Sequence, residues 1–136
     1  MAFLPYSYDD GQPRPWEYLP AGAITVNVGK TLTQSTGLLA IASNTTKPTY
    51  ISMIDKVCSS GDIIPVIRVD HGIVFETTNS ASFSDAKIGT KVTIENSDSD
   101  LTGNAVTATT SSGVAEIIDF DAVAAAGTGG KVLVRF

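Results

Sequence analysis

Catalysis needs an acid, a base, a nucleophile or a metal set, and the residues able to supply one stand apart in this sequence. His71 is the single histidine. It sits in Asp70-His71-Gly72, between two apolar runs, where it reads as a solvated residue of a tight hairpin turn. Cys58 is the single cysteine. It excludes an internal disulfide and reads as a small buried apolar residue rather than an activated thiol. No His/Cys cluster has zinc spacing, and no Gly-x-Ser-x-Gly elbow occurs. AAAGTGGKV (124–132) approaches a phosphate loop, but Ala125 replaces the first glycine and Val132 the hydroxyl, so a turn is expected. In DSDLTG (98–103), Asp98, Asp100 and Thr102 alternate ahead of Gly103, as in the first half of an EF-hand loop. Thr109 stands where the bidentate Glu is needed and neither flank is helical. An acidic loop is expected there, with a calcium site of other geometry left open. Glu76, Glu95, Glu116, Asp119 and Asp121 fall at or just beyond strands and read as solvent-facing positions. The expectation is no catalytic residue, no metal, no cofactor and no enzyme.

The residues able to bind a macromolecule are concentrated instead. FLPYSYDDGQPRPWEYLPAG (3–22) holds five of the ten aromatic residues: Phe3, Tyr6, Tyr8, Trp16 and Tyr18. It also holds four of the six prolines: Pro5, Pro13, Pro15 and Pro20. Proline fixes φ, removes donors and drives its predecessor to extended conformations, so neither a helix nor a central strand is expected. Exposed rings cost about 25 cal/mol per Å² of apolar surface, and such rings dominate interface energetics. A proline-stiffened segment loses little freedom on docking. Residues 1–20 therefore read as an extended arm. Its five rings either lie on another subunit or a larger partner, or fold back as a lid over the body. On the first reading, removing the arm leaves a folded body that no longer binds.

The elements behind the arm, residues 21–136, are short β-branched runs separated by Gly, Asn, Asp and Ser. Strands are expected in 23–28, 38–42, 49–54, 62–69, 73–78, 91–94, 105–110, 114–120 and 131–136. Hairpins are expected at Asp70-His71-Gly72 and Ser111-Ser112-Gly113. Pro65 demotes its run to an edge strand or a bulge. Only AKIG or the Ala-rich stretch 121–127 suits a helical turn. The fold class is all-β: a small barrel or sandwich of about eight short strands.

Charge narrows the partners. The nine basic residues are scattered against fourteen acidic ones, for a net charge of −5. Nucleic acid needs a clustered basic face, and an anionic membrane surface needs the same. Neither partner is expected. No apolar run reaches the length of a membrane span and no signal-peptide pattern opens the chain, so a reducing cytoplasm is the expected place of synthesis.

From Ala21 onward the chain resembles the small capsid decoration (cement) proteins of tailed bacteriophages. The resemblance is carried by Lys47-Pro48-Thr49-Tyr50-Ile51-Ser52, Ser60-Gly61-Asp62-Ile63-Ile64-Pro65-Val66 and Ile88-Gly89-Thr90-Lys91-Val92. Gly113-Val114-Ala115-Glu116-Ile117 and Lys131-Val132-Leu133-Val134-Arg135-Phe136 complete it, in order. It implies a β-barrel or β-tulip body on the outside of an assembled shell, bound to the major capsid protein and beside copies of itself, often as trimers. It also implies location on the virion exterior and stabilisation of the lattice. The rival readings are another virion component, such as a head-fibre base or tail accessory protein, and a carbohydrate-binding module. The latter requires aromatics presented from a rigid sheet.

Overall fold

A computed structural model describes residues 2–83, 88–95 and 105–136. Among these the fold is all-β, with fourteen strands and one 3₁₀ turn at Ala124–Ala126. That turn lies within the Ala-rich stretch expected to hold one.

The first sheet runs in the order β1 (Leu4–Tyr8), β9 (Ile73–Thr78), β14 (Lys131–Arg135), β13 (Ala115–Phe120), β10 (Lys91–Val92). Its pairings are all antiparallel. Alternation in β14 buries Val132 and Val134 and turns Lys131, Leu133 and Arg135 outward. The second sheet runs β2 (Glu17–Pro20), β8 (Ile63–Arg68), β6 (Tyr50–Ser52), β4 (Thr31–Ser35), β5 (Leu38–Ile41). Two small ladders complete the fold: β3 (Thr25–Val26) with β7 (Lys56–Val57), and β11 (Ile94–Glu95) with β12 (Ala105–Val106).

The two sheets share one core. Phe75, Ile117, Val132 and Val134 of the first sheet pack with Ile51 and Ile67 of the second. The opposite face of the second sheet has its own cluster, built on Leu32, Leu39, Tyr50, Ile64 and Val66. That sheet curls around this cluster until a single bridge joins Ala21 to Leu39, with Gly22 N–H donating to the Leu39 carbonyl at 3.0 Å. It does not close into a barrel, and the architecture is sandwich-like.

The structure corrects four sequence expectations. The N-terminal segment is no free arm: β1 pairs with β9, and β2 pairs with β8. It supplies an edge strand to each sheet, the positions where proline does least damage. At β1 the edge also carries Pro5 and a register shift between Pro5 and Ser7, two devices that blunt further strand pairing. The turn at Asp70-His71-Gly72 forms no hairpin. It is tight, with Ile73 N–H donating to the Asp70 carbonyl at 3.2 Å, but β8 and β9 belong to different sheets. Ser111-Ser112-Gly113 likewise leads from β12 to a strand that pairs with β10 and β14. A two-residue hairpin joins β4 to β5 through Thr36 and Gly37, at φ 51° and 82°. Both are left-handed, the geometry a two-residue hairpin favours.

Pro65 is the fourth correction, because β8 lies inside its sheet. Its carbonyl accepts from Met53 N–H at 3.0 Å. In an antiparallel pair the N and O of one residue face the same neighbour. The missing N–H therefore faces Met53, just past the end of β6 at Ser52, so the proline costs only a rung at the end of that ladder.

Candidate interaction surface

The five aromatic residues of the leader separate into three environments. Phe3 is fully buried, at 0% exposure. Its ring lies 5.4 Å from that of Phe136, which in turn lies 5.6 Å from Phe75. Phe3 is therefore a core residue, and its expected role as a partner-binding anchor is corrected. Tyr8 is half-buried, packs against the shared core and has the Arg14 guanidinium 5.4 Å above its ring. Tyr6, Trp16 and Tyr18 remain open, at 54%, 52% and 65% exposure.

Register explains why Tyr18 is open. It stands opposite Pro65, and Pro20 stands opposite Ile63, so these four side chains share one face of the second sheet. Ile67 and Ile51 belong to the same face and are buried because the first sheet covers them. That cover stops short of β2 and the start of β8. Tyr18 and Ile63 (56% exposed) are left open, with Pro20 and Pro65 half-buried beside them. Trp16 precedes β2 directly. The result is an apolar patch on a paired sheet.

Between β1 and β2, residues 9–16 form a strap held to the Asp70-His71-Gly72 corner by charge. Arg14 donates from Nε to Asp70 Oδ2 at 2.6 Å and from Nη2 to Oδ1 at 3.2 Å. Its Nη1 reaches both carboxylate oxygens of Asp10, at 3.0 and 3.1 Å. Arg135 grips Asp9 with two bonds, at 2.8 and 2.9 Å, and also donates to the His71 carbonyl. Asp9 N–H donates to the Gly72 carbonyl at 2.8 Å. The hydrogen bond from Arg14 holds the Asp70 carboxyl below its ordinary range, and that from Arg135 does the same for Asp9. Asp10 is lowered first by the Gln12 amide and then by Arg14. Glu17 pairs with Arg68 where the strap enters β2.

The residues considered for chemistry occupy structural roles. His71 is exposed, its Nδ1 3.1 Å from the Phe136 main-chain oxygen. Cys58 is buried, and burial pushes its thiol pKa up. Glu76 pairs with Lys131 at 3.2 Å. Asp121 Oδ1 accepts from the Val123 and Ala124 amides at the entry to the 3₁₀ turn. No group of three metal-ligating side chains comes together among the described residues, and DSDLTG (98–103) lies outside them.

Among the buried polar side chains, Asn79 and Lys30 carry most that the sequence reading missed. Asn79 organises the loop that approached a phosphate-loop pattern. Its Nδ2 donates to the carbonyls of Ala81, Ala125 and Gly127, and its Oδ1 accepts from Gly130 N–H at 2.7 Å. The loop's carbonyls thus point at an internal amide, the reverse of a phosphate cradle. Lys30 is fully buried, although a lone Lys between two strands looks like any surface cation.

No protein-family model matches this chain, and neither any curated protein nor any solved structure is found to match it.

Proposed function

We propose that this chain is a structural protein of a phage virion that binds the outside of an assembled capsid and bridges shell subunits. The observation that carries the reading is the open apolar patch of Trp16, Tyr18 and Ile63, backed by Pro20 and Pro65. Tyr18, held on a paired strand that Trp16 directly precedes, is ordered before docking and loses little entropy when covered. Trp and Tyr are also the residue types that most often anchor interfaces. The acidic composition, with a net charge of −5, keeps the free subunit apart from nucleic acid.

The mechanism is avidity. A subunit touching two shell subunits, or one shell subunit and a neighbouring copy of itself in a trimer, links them at high effective concentration. Such contacts exist only where the assembled lattice brings both surfaces into register, so binding stabilises that lattice by mass action. Tyr6 lies on the outward face of the other sheet and is not needed for this patch.

The test is co-sedimentation of the purified protein with assembled capsids. The Trp16→Ala/Tyr18→Ala double variant should keep its fold and lose most of its occupancy. Full occupancy by that variant, or no binding by the unaltered protein, overturns the reading.

A further inference from the structure

The outward face of the first sheet carries a groove that the capsid reading leaves unused. Pairing register sets Leu4, Glu76, Leu133 and Asp119 side by side across four strands. Over this row lies an open groove of about 270 Å³, lined by Tyr6, Asp119, Phe120, Asp121, Lys131 and Leu133. Its size is near the lower end for small-molecule sites, ~300 Å³.

The lining divides into an apolar wall and a polar rim. Tyr6 presents an exposed ring at the register shift of β1, between the paired residues Pro5 and Ser7, and Leu133 lies beside it. Asp119 Oδ1 accepts from the Phe120 amide at 2.9 Å, and Asp121 Oδ1 from the Val123 and Ala124 amides. Among the described residues, the second oxygen of each carboxylate has no hydrogen-bond donor. Lys131 Nζ lies 5.3 Å from the Tyr6 ring centroid and 3.2 Å from Glu76 Oε2.

A pyranose has complementary surfaces: an apolar C–H face that packs on an aromatic ring, and a rim of hydroxyls that donate to carboxylates. The charge balance selects among sugars. Two carboxylates face one ammonium that is already paired, so a sulfated or sialylated sugar meets like charge. We propose that this groove binds a neutral saccharide, with Tyr6 under the sugar ring and Asp119 and Asp121 accepting from its hydroxyls. The requirement for aromatics on a rigid sheet is met once Tyr6 is part of β1.

The test is an array of neutral, sialylated and sulfated glycans, followed by amide-resolved NMR titration with lactose, maltose, cellobiose and diacetylchitobiose. The expected result is binding of at least one neutral sugar, with shifts confined to β1, residues 119–121 and β14. Tyr6→Ala and Asp119→Asn should each weaken it by about tenfold or more, and Tyr6→Trp should preserve it. Both positions are exposed, and a denaturation curve checks that the variants remain folded. Absence of any neutral sugar binding, a preference for anionic glycans, or unchanged affinity in both variants overturns the proposal. Capsid co-sedimentation of Tyr6→Ala should match the unaltered protein, so this site and the Trp16/Tyr18 patch fail or stand separately.

Discussion

Phe3 and Tyr18 come from one aromatic-rich stretch and do opposite work. Phe3 sits among Phe75 and Phe136 with no exposure, whereas Tyr18 projects from an edge strand. Removing a buried phenylalanine side chain costs about 3–5 kcal/mol, while an exposed position away from caps and ion pairs changes stability by about 0.5 kcal/mol or less. Phe3→Ala should therefore lower the urea midpoint strongly, and Tyr18→Ala should leave it nearly in place. Equal shifts for the two would contradict this division of labour. Composition found all five rings because aromatic density needs no geometry. It could not rank them, because which ring turns inward depends on which sheet receives it. Lys30 and Asn79 were illegible for a related reason: their burial is created by elements distant in sequence.

The strap of residues 9–16 owes its position to ion pairs with Asp70 and Arg135 rather than to an apolar anchor of its own. Asp9, Asp10 and Asp70 all titrate below the ordinary carboxylate value in the folded state. Groups lowered in this way contribute stability above the unfolded value, about 3.9. That contribution fades as pH falls through their lower folded values. Acidification should therefore lower the protection of the Asp9 amide, measured against its intrinsic exchange rate at each pH, before that of the β9 and β14 ladder falls. Arg14→Ala should loosen the strap at neutral pH. Retention of full protection in both cases would show that the ion pairs do not hold it. At this scale the sequence was legible wherever β-branched alternation was strong. β8, β9, β13 and β14 all fall within expected runs. TLTQS, which becomes β4, was missed because Leu32 is its single apolar residue and makes no alternating stripe. The two misplaced hairpins share one cause. Glycine turns report that the chain reverses, but the sheet it joins next is decided by packing.

For the molecule as a whole, the leader's place in both sheets makes it a structural part of the fold. Deleting residues 1–20 removes Phe3 and both edge strands, and uncovers backbone donors on β8 and β9. The truncated chain should fail to give a cooperative thermal transition and should expose apolar surface to a hydrophobic dye. A well-folded truncated body would restore the picture of a separable arm. The same integration makes Tyr18 a better docking residue, since a strand paired within its sheet presents it without a search through loose conformations, with Trp16 directly before it.

The packing of Phe3 against Phe136 also has a temporal side. A ring from the opening residues reaches its resting place only when the closing ones have been synthesised, and β1 must wait for β9. Topologies dominated by such distant pairings organise slowly and leave greasy surface uncovered meanwhile. Yield of this protein on expression should consequently respond to growth temperature and chaperone supply more than to any change at its outer faces.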